Sequence, residues 1–389
     1  MIAEPSEPNS GVEVVRLRRL FQLFGTTQCR GRSLVYETLS EAVLSDHDLL
    51  GLLLATPDDQ RRPSLLFAGV NLLLATHPDS ELAAYYPTHG GRRPVDDQLV
   101  PAFSVFCAEH CDELAALLRD RSTQTNEIRR CVALRLGLDH VQRHWPGPVA
   151  LVEAGASAGL NLLFDHYRYR LGGEEAPGAA ESSVVVSCDV RDASGSGSGA
   201  RILGPMPTIT SRLGIDRNPI DLSDPEARAW LEAFIWPEDV GGLAVLRSAV
   251  ELAVSTPGAT VRQGDATTDT AHLLADLPGQ EPVAVFTASL LSYLATDART
   301  EFLAQLDKAA ARRPVAWIFA EAPGLLAKTD LGISALSSPL GQGNTLYAVG
   351  SSLRHAGHHE DQLHALAEPY LRWLAPARHA ADDFQWVEA

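Results

Sequence analysis

The chain has 389 residues, 45% hydrophobic and 21% charged, a composition that can bury a large core and excludes wholesale disorder. Its net charge of −17 argues against a nucleic-acid backbone or an anionic membrane as main partner. Cys29, Cys107, Cys111, Cys131 and Cys188 are scattered and read as core thiols, since no second Cys/His pair joins Cys107, His110 and Cys111 at zinc-ligand spacing.

Residues 1–11 are acidic and polar, with no signal-peptide pattern, and no apolar run reaches the length of a membrane span. A cytoplasmic, soluble protein is expected, monomer or homodimer, acting on a small molecule and holding no metal. From Val12 to about Trp145 the pattern is helical. Val14, Leu17, Leu20, Phe21 and Phe24 recur at helical spacing, as do Leu34, Tyr36, Leu39 and Val43, followed by the run Leu49 to Leu54. Prolines from Pro57 to Pro101 punctuate the region, and further helices are predicted at Leu65–Leu74, Phe103–Leu118 and Asn126–Trp145.

Strand patterns begin at Pro148. Val149 to Ala154 is an apolar run that turns at Gly155-Ala156-Ser157-Ala158-Gly159 and resumes as an apolar helix pattern from Leu160. A strand, glycine turn and helix of this kind offers backbone N–H groups to an anionic or polar ligand, and Glu153 adds a carboxylate. The Gly-x-Gly-x-x-Gly of a dinucleotide site and the Gly-Lys-Ser/Thr of a phosphate loop are both missing. An irregular insert over about 170–207 holds a strand at Ser183–Cys188 and the tract Ser194–Gly199. Strands follow at Thr208–Ile215, Ala259–Gln263, Pro282–Ala288, Pro314–Glu321 and Thr345–Leu353, with helices at Asp224–Leu231, Leu243–Val254, around Leu290–Leu294 and at Asp361–Leu374. Phe384–Val387 reads as a last strand. Glu153, Asp216, Asp265, Thr287 and Glu321 end successive strands, where α/β sheets bind ligands. The pattern predicts an α/β fold with a doubly wound, mostly parallel sheet over residues 148–389, preceded by a helical cap over 12–147.

Glu153 with Gly155–Gly159, Asp216-Arg217-Asn218-Pro219 and Gly264-Asp265-Ala266 resemble the motifs of class I S-adenosylmethionine methyltransferases, whose domain is Rossmann-like. Cys29-Arg30-Gly31, Ala84-Tyr85-Tyr86-Pro87, Gln124-Thr125-Asn126-Glu127 and Val152 to Asn161 resemble a bacterial family known only as a domain of unknown function. The first resemblance implies S-adenosyl-L-methionine as cofactor, held by Glu153, Gly155, Ala156, Ser157, Gly159 and Asn161. It also implies contacts from Asp216, Arg217 and Asn218, from Gly264, Asp265 and Ala266, and from Thr287 and Ala288. Tyr86, Asn126, Glu127 and Tyr293 are then the candidate catalytic residues, and Arg30, Tyr85, Gln124 and Thr125 the candidate substrate contacts. Each has a plainer use: a helix start for Gln124–Glu127, packing for the tyrosines, a surface ion pair for Arg30. The expected function is a methyltransferase acting on a small molecule. The alternatives are a cyclase or lyase of the azetidine-2-carboxylate-forming type, which consumes the cofactor itself, and a non-catalytic nucleoside-binding protein. His355, His358 and His359 are not expected to bind metal.

Overall fold

The computed structural model describes residues 7–191, 202–326 and 346–377. Helices come first: α1 (Glu7–Leu23), α2 (Leu34–Val43), α3 (His47–Leu54), α4 (Pro63–Thr76), α5 (Leu99–Glu109), α6 (Cys111–Asp120) and α7 (Cys131–His144). No strand precedes Val149 among the described residues. Local chemistry sets several starts. The Ser33 hydroxyl accepts from the Tyr36 N–H, the Asp46 carboxylate accepts from Asp48 and Leu49, and Pro63 opens α4, where its missing N–H costs nothing. The helix predicted over Phe103–Leu118 is broken at His110, which leaves helical geometry and divides α5 from α6.

Eleven strands follow among the described residues: β1 (Val149–Ala154), β2 (Arg168–Leu171), β3 (Glu174–Ala176), β4 (Val185–Val190), β5 (Ile209–Asp216), β6 (Ala259–Gln263), β7 (Val283–Ala288), β8 (Val315–Glu321), β9 (Tyr347–His355), β10 (His358–Ala367) and β11 (Trp373–Pro376). Four helices lie between them: α8 (Pro225–Glu232), α9 (Val240–Ser255), α10 (Ala266–Ala275) and α11 (Thr296–Ala310). The fold is α/β. One sheet runs β3-β2-β4-β11-β10-β9-β8-β7-β1-β5-β6. Its parallel core is β6-β5-β1-β7-β8; β8–β9, β9–β10 and β10–β11 are antiparallel.

By its contacts the chain forms two compact units. The first holds the described residues up to Thr125 together with Ser223–Ala244; the second holds the described residues of 126–222 and those from Val245 onward. The first unit is helical, and its centre is aromatic. Tyr36 stacks on Phe67 with ring centroids 4.4 Å apart, Trp236 lies 5.6 Å from Tyr36, and Tyr86 meets Tyr36 edge-on.

In the second unit the alternation of each strand divides the sheet into two faces. Val152, Val285 and Trp317 pack with Leu274 of α10 and with Phe302 and Leu306 of α11. The opposite face carries Glu153, Phe286 and Ile318, which lie in register. Helix α7 packs on β8 and β9, with Gly137 against Ile318.

Three expectations are corrected. The segment after the glycine turn is a 3-10 run, Leu160–His166, kinked at Leu163, and not an α-helix. Only a short 3-10 turn, Leu291–Tyr293, occupies the helix predicted around Leu290–Leu294. The helix predicted at Asp361–Leu374 is the outer half of a hairpin, β10, followed by β11; His358–Ala367 pairs along β9, whose ladder bonds outweigh the local helical spacing of leucines. The predicted tract Ser194–Gly199 and strand Phe384–Val387 lie outside the described residues.

Candidate functional site

The polar side chains of the second unit gather at the carboxyl ends of β1, β5 and β7. Their scaffold is the turn after β1. Gly155, Ser157 and Gly159 all have positive φ, at 77°, 52° and 71°. Two glycines make such a turn accessible; Ser157 holds a left-handed conformation that is uncommon outside glycine and asparagine. The turn sits against β5 because position 214 lacks a side chain: a Cβ there would lie 2.6 Å from that of Ala156.

The N–H groups of this turn are largely used within the chain. Those of Gly155 and Ala156 donate to the Ile215 carbonyl, that of Gly159 to Ala156, and that of Ser157 to Oδ2 of Asp216 at 2.8 Å. With a 3-10 run behind it in place of an α-helix, the turn is not the amide cradle the sequence suggests. What it presents is side chains. Glu153 is 3% exposed; its Oε1 accepts from Nδ2 of Asn161 at 2.8 Å, and the Asn161 Oδ1 faces the Cys131 thiol at 3.2 Å. Oε2 of Glu153, Oγ of Ser157 and Oδ1 of Asn126 are buried without a hydrogen-bond partner among the described residues. Asn126 is tied to the same turn, donating through Nδ2 to the Ala156 carbonyl at 3.0 Å. Unpartnered buried oxygens are costly, so three around one turn make this the candidate place for hydrogen bonds to a ligand.

Burial pushes the Glu153 carboxyl up to about 8; the Asn161 bond opposes this, Asp216 adds to it, and the Arg130 charge opposes it. Arg130 is itself buried and donates to the Ala288 carbonyl at 3.2 Å. At the end of β8, Glu321 is also raised to about 8 by burial, and its two oxygens accept from the N–H groups of Leu290 and Leu291. That carboxyl holds the turn after β7 in place. Thr287 accepts from the Trp317 indole at 3.0 Å, and the hydroxyl of Ser289, at φ 63°, bonds to that of the half-buried Tyr347.

Asp216 ends β5, and its other oxygen accepts from the Asn218 N–H at 2.8 Å. Each carboxylate oxygen accepts two bonds, so Asp216 keeps acceptor capacity. Asp265 is differently placed. It caps α10 through the Thr267 N–H and pairs with Arg217 at 2.7 Å, and Gly264 donates to the Asp216 carbonyl; Ala266 is the first residue of the helix. Gly264-Asp265-Ala266 is thus a helix start. Glu127 is engaged in the same way, capping the 3-10 turn Ile128–Arg130 and pairing with Arg129 at 3.1 Å. Tyr293 is 37% exposed.

The other candidates belong to the first unit. Arg30 is an exposed partner of Glu37. Tyr85 donates to Asp96 under the Arg93 guanidinium, and Tyr86 is fully buried in the aromatic cluster. Gln124 is buried and Thr125 half-buried.

A family model described as an uncharacterised protein conserved in bacteria, DUF2332, matches residues 18–374. The chain belongs to that family. A search of the curated proteins found no match. Sequence reasoning gave no site role to Arg130, Cys131, Ser289 or Tyr347. Arg130 alone carried a signal, a charge directly ahead of the apolar residues Cys131 to Leu134.

Proposed function

We propose that the protein is an S-adenosyl-L-methionine-dependent enzyme, most simply a methyltransferase acting on a small molecule, built on a Rossmann-like, doubly wound sheet. Strand order supports the sheet reading. The chain runs outward from β1 through β5 and β6, then returns to the other side of β1 as β7 and β8, so the switch point lies at β1. The observation that carries the proposal is the pair of carboxyls ending adjacent strands there, Glu153 with an unpartnered buried oxygen and Asp216 with spare acceptor capacity. Asp216 suits the ribose diol. Glu153, with Asn126, suits the cationic methionine portion of the cofactor.

The spent amides of the turn bear on cofactor choice. A pyrophosphate needs N–H donors and a helix N-terminus, whereas S-adenosylmethionine carries no phosphate and can be held by side-chain acceptors. This favours it over a nicotinamide dinucleotide. Methyl transfer asks mainly for alignment, so the engagement of Glu127 with Arg129 does not remove the chemistry. The same engagement favours a second reading, nucleoside binding without turnover.

Calorimetric titration of the full chain with S-adenosylmethionine, S-adenosylhomocysteine and NAD tests the proposal. Micromolar binding of the first two, lost in Asp216→Ala, is the expected result. No binding by a folded wild type would overturn it. Product analysis then separates methyl transfer, which yields S-adenosylhomocysteine, from cofactor cleavage, which yields methylthioadenosine; neither product would leave the binding reading.

A further inference from the structure

We propose that His140, His144 and Glu360 form a binding site for a divalent transition-metal ion of the zinc class, pinning α7 to the β9–β10 hairpin. His140 and His144 are one helical turn apart and so share a face of α7. Glu360 stands on β10 opposite Leu353. Its Oε1 lies 3.5 Å from Nε2 of His144 and 3.8 Å from Nε2 of His140, and the ligand atoms of all three lie within 4.8 Å of one another. In a tetrahedron with bonds of about 2.0–2.2 Å the ligand atoms stand roughly 3.3–3.5 Å apart, so small side-chain rotations close this set.

The surrounding hydrogen bonds aim the rings. Nδ1 of His144 lies 3.1 Å from the His140 carbonyl, which can only accept, so that nitrogen carries a proton and in the neutral ring Nε2 keeps a lone pair. Nδ1 of His140 lies 2.7 Å from the Ser351 hydroxyl, and that hydroxyl lies 2.8 Å from Nε2 of His364. A proton on Nδ1 of His140, donated to Ser351 while Ser351 donates to His364, satisfies the whole chain and again leaves Nε2 with a lone pair. Outer partners of this kind fix ring orientation at metal centres. With both imidazoles neutral, two lone pairs face one carboxylate oxygen, a repulsion that a metal ion between them, or a proton on one Nε2, relieves. Two imidazoles and a carboxylate are a donor set suited to zinc, with copper and nickel as close competitors. His140 is buried, but His144 and Glu360 have side chains 39% and 63% exposed, which leaves a fourth position open to water.

The site is separate from the polar cluster at β1. His140 lies about 13 Å along α7 from Cys131 at a rise of 1.5 Å per residue. The inference therefore does not rest on the proposed function.

The test uses the full chain, dialysed against chelator and titrated with zinc chloride by calorimetry. His144→Ala and Glu360→Gln alter exposed side chains and leave the buried His140 in place. His355→Ala, at the exposed end of β9, is the control. One equivalent per chain with micromolar or tighter affinity is expected, weakened at least about ten-fold in the first two variants and unchanged in the control. Cobalt loading of the wild type should give the visible absorption of a tetrahedral site. A simple histidine–glutamate ion pair would instead show no stoichiometric zinc binding; that result, or equal affinity in His144→Ala and Glu360→Gln, would overturn the proposal.

Discussion

Nδ2 of Asn161 donates to one oxygen of Glu153 at 2.8 Å and leaves the other oxygen of that buried carboxyl unpartnered, whereas Glu321, buried to the same degree, has both oxygens occupied by the N–H groups of Leu290 and Leu291. The two acids end neighbouring parts of one parallel sheet, and both are raised to about 8, chiefly by burial. Their amide variants should behave differently. In Glu153→Gln the amide oxygen takes the Asn161 bond and the NH2 group replaces the unpartnered oxygen. In Glu321→Gln the NH2 group meets a backbone N–H, at a cost of about 1–3 kcal/mol.

The stability of the wild type should also fall with pH through these groups. Each is neutral in both states below pH 4.5, the ordinary value, so its favourable contribution is complete there. It is lost as pH rises toward about 8, by on the order of 1.4 kcal/mol per unit. Urea unfolding from pH 5 to 9 should show a shallower slope for Glu153→Gln than for the wild type. Superimposable slopes would mean that Glu153 is not buried as described.

Binding of a sulfonium cofactor at Glu153 should release a proton near pH 7. A cation beside Oε2 favours the carboxylate and lowers a carboxyl that is otherwise protonated in the free protein. Calorimetry with S-adenosylmethionine in buffers of different ionisation enthalpy measures the release directly. The effect should fade well above pH 8 and vanish in Glu153→Gln. Enthalpies independent of buffer would remove Glu153 from the cofactor site.

Arg130 is the buried cation that opposes the rise of both acids. Arg130→Met should destabilise the protein by about 1–3 kcal/mol, because the Ala288 carbonyl loses its donor, and it should push both buried carboxyls further up. Arg130→Lys should recover part of that loss, since it keeps the charge without the planar fork. Denaturation midpoints settle the order; a neutral Arg130→Met would show that the guanidinium is solvated.

Gly214→Ala should disturb the β1 turn without altering any polar group. The added Cβ meets Ala156 at 2.6 Å and Val261 at 3.0 Å, a clash costing about 1–3 kcal/mol. Gly159→Ala adds left-handed strain of about 1–2 kcal/mol to a contact with Val261 at 2.7 Å and should cost more. Thermal or urea denaturation ranks the pair.

Periodicity made the inner strands legible. β1, β7 and β8 are short buried apolar runs with polar residues at or near their carboxyl ends, and of the helices before Val149 α2 and α3 carry side-chain caps. Glu153, Ser157 and Asn161 were legible as a group because a strand followed by a glycine turn brings its own neighbours together, whereas Asp216 joins them only through the pairing of β5 with β1. Tyr86, Glu127 and Asp265 were legible only as residue types. Whether a carboxylate is free or caps a helix depends on partners such as Arg129, Thr267 and Arg217, and composition does not record those bonds.

Within about ten residues of one another, then, the sequence by itself determined the strand ends, the left-handed turn and the helical character of the first unit, since backbone sterics and side-chain period act locally. Pairing across long separations was decided by the tertiary structure alone. Residues 358–367 became a strand because β9 offered a ladder, the Glu153 carboxyl is pushed up because the closed sheet buries it, and His140 faces Glu360, 220 positions away in the chain, because α7 packs on β9 of the hairpin. Burial and long-range hydrogen bonding set the chemistry of these groups, and neither exists until the chain has closed on itself.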